Sequence, residues 1–343
     1  MLPGVREDWV DLAKGIAIVL VVSFHAVVFP ASLGLVQEWR DLAALLDTFR
    51  MPFFFFTSGL FAAKALRASL GALWRTRVAR LLWLFVLWSV IWFAAFYAAP
   101  PLGTSRIGQR PDELVLLFLS PNQNTWYVYA LALYFLLAWA LRRLPTALQI
   151  GLAAALAVAF DVGLLDATNG AVDRMGRGFV WFLVAVHLGP RVRALAPRVR
   201  WWHPLLALTM YGSAAMLVDL NGVKDAPFVR LTLAALAVLA GCALAVALSR
   251  VAALDWLRAL GRRTLEVYLV HFYVILGLCL LLAPVAARIA ESRVLDLTLP
   301  LLLTAVAVLV PLGVRRLTRR LTWLWDRPHL APREDMEVVT VSG

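Results

Sequence analysis

Apolar residues run through this chain in blocks, and each block has about the length of a bilayer crossing. A membrane helix needs about 17 to 25 mostly apolar residues. Such stretches fall at 12–30, 42–63, 78–99, 125–141, 146–165, 175–190, 203–219, 228–249, 264–284 and 295–314. The pattern predicts an all-α fold, a polytopic integral membrane helical bundle of about ten transmembrane helices. Only short polar breaks separate the blocks, so residues 1–320 read as one transmembrane domain and 321–343 as a polar cytoplasmic tail. The sixth block is short and has Arg177 and Gly178 near its start, which leaves a count of about nine or eleven open. Met1 to Val10 has neither a basic n-region nor a small-residue cleavage site, so the first helix is expected to be retained.

Composition agrees with this reading. With 62% hydrophobic and 16% charged residues, the chain lies outside the range of ordinary soluble domains. The net charge of +12 would suggest nucleic acid in a soluble protein. Here the basic residues sit between apolar blocks, where they set topology, and no nucleic acid is expected. Connections after even-numbered blocks carry Lys64, Arg67, Arg75, Arg77 and Arg80, then Arg142 and Arg143, and further clusters at 191–200 and 250–263. The opposite connections hold fewer, such as Arg106, Arg110, Lys224, Arg288 and Arg293, which places both termini in the cytoplasm. Cys242 and Cys279 have no metal-ligand spacing, so neither a metal site nor a disulfide framework is indicated. No matched pair of interrupted helices, as expected of many secondary transporters, is visible.

Charged and imidazole side chains inside apolar blocks are costly in lipid and usually face a cavity or a partner. Asp11, Lys14, His25, Asp47, Arg50, Glu266 and His271 are such residues. Lys14 and His25 are eleven positions apart, which puts them within about 20° of each other on a helix and roughly 16 Å apart along it. Lys14 alone reads better as a snorkelling topology signal, whereas the depth of His25 argues for function. Asp11 is placed to pair with Lys14, Glu266 with Arg262 or Arg263, and Asp47 with Arg50 as a structural pair beside the helix-opening Pro52. Tyr127 and Tyr129 read as interfacial belt residues. Ser58 and Gly59 read as positions of close helix packing. His187, His203 and His329 receive no role.

Four segments carry a resemblance. REDWVDLAKGIAIVLVVSFH, Arg6 to His25, has a basic residue, ten others and a histidine. MPFFFFTSGLFAAKAL follows from Met51, RVARLLWLF from Arg77 and GRRTLEVYLVHF from Gly261. In order and spacing these resemble the acyltransferase-3 family of bacterial membrane O-acyltransferases. NTWYVYALALYF, from Asn124, is similar to a further aromatic-rich helix entry of that family. The likeness is to the bare membrane type, without the hydrolase-like domain that some members carry.

That resemblance implies an O-acyltransferase of the bacterial inner membrane, moving an acyl group, acetyl by expectation, from cytoplasmic acyl-CoA to a hydroxyl of an envelope glycan or related small acceptor. Lys14, Arg77 and Arg80 would hold CoA phosphates, and His271 would help orient the CoA. His25 would serve as base, its imidazole being suited to taking a hydroxyl proton near neutrality. Asn124, Trp126 and Arg50 would hold the acceptor. The implied co-substrate is acyl-CoA and the surroundings are the lipid bilayer. The competing reading is a transporter or exporter of a lipid-linked glycan or small solute, with His25, Asp47 and Arg50 as an intramembrane relay. A sensor or assembly role with a degenerate site stays open as well. Acceptor identity and oligomeric state are not legible in the residues.

Overall fold

The structure is a computed structural model that describes residues 7–98, 121, 125–167 and 169–328. All the regular secondary structure among these residues is helical. The longest elements are α1 (Asp8–Ser32), α2 (Asp47–Gly59), α3 (Ala79–Ala98), α4 (Trp126–Leu141), α5 (Thr146–Asp161), α6 (Gly170–Leu195), α7 (Trp202–Leu220), α8 (Val229–Leu248), α9 (Thr264–Leu282) and α10 (Arg293–Leu317). Six helical stretches among the described residues are long and apolar enough to cross a membrane, namely 8–32, 70–95, 170–198, 229–248, 264–290 and 293–317. The helices α4 and α5 are apolar but only 16 residues each.

Three departures from the apolar pattern shape the site. The block at 42–63 is not one helix: Arg40–Leu45 ends at Leu46, α2 starts at Asp47, and Ala63–Leu66 follows separately. A carboxylate in the first turn of α2 is favoured by the helix dipole, and Asp47 is also tied to Arg230 at 2.6 Å. That tertiary contact fixes the new start. Ahead of α3, Trp74–Val78 forms a π-helical turn, a local widening that occurs often at functional sites. The sixth block, short by hydropathy, belongs to the 26-residue α6, which starts at an Asn169 cap that accepts from the Ala171 amide. Arg174 and Arg177 are tolerated in it because they turn toward a charged pocket.

α1 lies at the centre, packed against α2, α8, α9, α10 and the short helix Asp255–Gly261. The last contact is backbone against backbone. A methyl added at Gly261 would overlap the Asp11 carbonyl, and one at Gly15 the Leu257 carbonyl. Both glycines are therefore needed for close approach. Gly59 plays the same part toward α6, where a Cβ would come to 2.5 Å from the Phe182 carbonyl oxygen.

Beyond α10 the chain folds back on α3. Trp83 and Trp88 donate indole hydrogen bonds to the Trp323 and Leu324 carbonyls at 2.8 and 2.9 Å, and Trp325 is buried. Thus 322–326, the start of the stretch that reads as a tail, is bound to the bundle.

Candidate active site

One cavity of about 280 Å³ gathers the basic residues singled out in the sequence. Lys14 comes from α1, Arg77 from the π-helical turn and Arg80 from the first turn of α3. Arg262, at the end of Asp255–Gly261, adds a fourth cation and pairs with Asp11 at 3.7 Å. Arg80 lies 3.4 Å from Asp326 of the folded-back segment. Arg77 is exposed and makes no ion pair among the described residues. The deep end is aromatic: Phe54, Tyr127 and Tyr268 line it together with Ser58. Tyr127 stacks on Phe54 at 4.3 Å, shares a 2.5 Å hydrogen bond with Ser58, and donates its backbone N–H to the Tyr268 hydroxyl at 3.2 Å. The interfacial-belt expectation fails for Tyr127, which is only 4% exposed. The cause is α4, whose first turn packs inside the bundle.

His271 does not face this cavity. It lies one helical turn beyond Tyr268, is 0% exposed, and holds its ring 5.3 Å from that of His25, tilted by 49°. Its Nδ1 meets two acceptors, the Val267 and Tyr268 carbonyls, at 3.0 and 2.8 Å. Nδ1 must therefore carry the proton, which leaves Nε2 as a bare acceptor. Nε2 is buried without a partner, a situation that calls for a reason. His25 is partly buried among Phe24, His271 and Phe272 and makes no hydrogen bond among the described residues. Its ring nitrogens are thus uncommitted. It stands between two cavities and in the wall of neither.

The second cavity, of about 70 Å³, lies beyond the histidines. Arg174 is in its wall and Arg50 is not. Arg50 is buried, donates to the Ala43 carbonyl at 2.7 Å, and lies 3.6 Å above the Phe24 ring. Its contact with Asp47 is a loose 3.5 Å. Asp47 is bound chiefly by Arg230 at 2.6 Å, with Lys224 at 3.7 Å, so it belongs to a network and not to a pair with Arg50 alone. Arg230 also reaches Asp161 at 3.3 Å, and Asp161 takes Arg177 at 2.8 Å. Arg174 sits 5.1 Å over the Trp126 ring. Asn124 lies outside the described residues.

Asp161, Arg174, Arg177 and Arg230 were not among the residues that the sequence put forward. The rule that selected His25 also covers Asp161 and Arg230, which lie inside the blocks 146–165 and 228–249. Their grouping, however, depends on α2, α5, α6 and α8 meeting. Glu266 also departs from expectation. Its ion pair is with Arg315 of α10 at 3.4 Å, across the contact between α9 and α10, and not with Arg262 or Arg263. Among the described residues no group of three His, Cys, Asp or Glu side chains is placed to hold a metal ion.

Long apolar helices around two cavities lined with charged side chains define a multi-pass membrane protein. The family model Acyl_transf_3, described as an acyltransferase domain, matches residues 7–316. The chain belongs to that acyltransferase-3 family. No curated protein and no solved structure matches it.

Proposed function

We propose that this chain transfers an acyl group, acetyl in the simplest case, from acyl-CoA in the Lys14 cavity to a hydroxyl of an envelope glycan or related acceptor at the Asp47 end. In this reading the Lys14 end faces the cytoplasm together with both termini, the chain crosses the bacterial inner membrane about ten times, and the Asp47 end faces outward. The distribution of basic residues supports that orientation. The observation that carries the reading is the run of polar side chains through an apolar bundle. It passes from Lys14, Arg77 and Arg80, past Tyr268 and His271, to His25 and then to Arg50 and Arg174.

The chemistry follows from the uncommitted His25 ring. Lys14, Arg77 and Arg80 hold the phosphates, and the pantetheine arm covers the roughly 16 Å of helix rise between Lys14 and His25. It passes when Tyr127 and Tyr268 turn aside. His25 takes the proton of the acceptor hydroxyl as its oxygen attacks the thioester carbonyl, forming the C–O bond. Collapse of the tetrahedral intermediate breaks the C–S bond, and the imidazolium returns the proton to the CoA sulfur. Arg50 and Trp126 hold the acceptor. His271 acts as a positioning residue, its bare Nε2 accepting a His25 N–H so that the other His25 nitrogen faces the hydroxyl.

The test compares envelope glycans from a deletion strain carrying the wild-type protein or His25→Ala, with ester groups read by mass spectrometry. Loss of a base costs about 10²- to 10⁴-fold in rate, so esters should vanish while the variant still binds acetyl-CoA. Unchanged acylation in His25→Ala would overturn the mechanism. Solute flux without CoA release by the purified protein would favour the transporter instead.

A further inference from the structure

The small cavity beyond the histidines is more than a structural charge network. Its wall sets three arginines, 174, 177 and 230, against two aspartates, 47 and 161. Arg177 and Arg230 are engaged with those aspartates. Arg174 has no ion pair among the described residues. Its neighbour Asp173 turns to the Ala167 amide, and the contact Arg174 does make is the face of Trp126. A guanidinium held 5.1 Å over an indole by cation–π attraction keeps N–H groups for a planar or tetrahedral anion. Arg174 is exposed near the start of α6, so its guanidinium is open to an anion that enters this cavity from solvent. The cavity volume of about 70 Å³ exceeds several times the roughly 10 to 15 Å³ that one water requires, which is room enough for a carboxylate or phosphate group.

We propose that Arg174, backed by Trp126, is an anion subsite that selects acceptors carrying a carboxylate or phosphate close to the hydroxyl to be acylated. This rests on the acyl-transfer reading above, because it names the acceptor class for that site. Arg174 reaches both this cavity and the surroundings of His25, so an anion held there brings a neighbouring hydroxyl toward the base. Arg177 and Arg230, held by their aspartates, fix the back wall and set the depth to which the anion enters.

The experiment uses the full chain in neutral detergent, with glucuronate and glucose as acidic and neutral acceptor probes and acetyl-CoA as donor. Wild type should prefer glucuronate, and Arg174→Gln should lower that preference about tenfold or more, with Arg174→Lys recovering part of it. Acetyl-CoA binding, unaltered in Arg174→Gln, serves as the folding control. Separately, glucuronate or inorganic phosphate should raise the unfolding temperature of wild type but not of Arg174→Gln. Equal use of glucuronate and glucose by wild type would overturn the subsite, and so would anion stabilisation that persists in Arg174→Gln. Anion binding lost in Arg174→Gln, in a protein that transfers to no acceptor, would keep the subsite and reject the acyl-transfer reading. Repeating the measurement in nanodiscs with and without phosphatidylglycerol separates sources. Displacement of glucuronate by that lipid would assign the site to a lipid phosphate and overturn the acceptor claim.

Discussion

The two cavities treat positive charge in opposite ways. In the Lys14 cavity, Arg77 projects from its π-helical turn without an ion pair among the described residues, and the contact of Arg80 with Asp326 joins two half-exposed side chains. In the Asp47 cavity, Arg230 is divided between two carboxylates and Arg177 is locked to Asp161, whose side chain is only 3% exposed. The reason is solvation. The exposed Arg77 and half-exposed Arg80 are compensated by water and keep hydrogen-bond capacity for the polyanion that we propose there. Arg177 and Arg230, less exposed and packed against the buried Asp161, are neutralised by protein, at a desolvation cost that good pairing offsets. One end thus keeps its cations solvated, and the other ties most of them to carboxylates.

The sharpest way to break this contrast is to remove the shared cation. Arg230→Ala leaves Asp47 and Asp161 short of a partner and should destabilise the protein by about 3–5 kcal/mol, read as a fall in unfolding temperature in detergent. Pairing it with Asp47→Asn should recover part of the loss, because the two positions are coupled. If Arg230→Ala unfolds like wild type, the second cavity is not a closed network. A smaller effect is expected at the other end. Arg77→Ala should leave unfolding unchanged and raise KM for acetyl-CoA about tenfold, the scale of one charge-assisted hydrogen bond. That penalty should shrink with added salt. The least effect belongs to Asp326→Asn. Its half-exposed ion pair with Arg80 contributes less than about 1 kcal/mol. Stability should hardly move, and acetyl-CoA binding should improve slightly as Arg80 is released. Weaker binding instead would mean that Asp326 orients Arg80 for the phosphates.

Much of this was legible in the residues. Every apolar block contains helix, because the length of an apolar run is a local property that no distant contact has to supply. The shared face of Lys14 and His25 is equally local, since it follows from helix geometry alone. Lys14, Arg77 and Arg80, grouped in the sequence through the family resemblance, line one cavity. Tyr127 was misjudged because burial of a helix end depends on which neighbours cover it. Glu266 was misjudged because its partner Arg315 lies on another helix.

The sequence by itself determined a helical membrane protein with a basic end and a histidine on the same face of the first helix. These properties depend on composition and on neighbours within a few turns. Only the tertiary structure decided the rest. The start of α2 at Asp47, the bare Nε2 of His271 beneath His25, and the meeting of Asp47, Asp161, Arg177 and Arg230 all arise from contacts between helices far apart in the chain. A buried charge in the sequence announces that it needs a partner. Which partner it finds depends on how the helices pack.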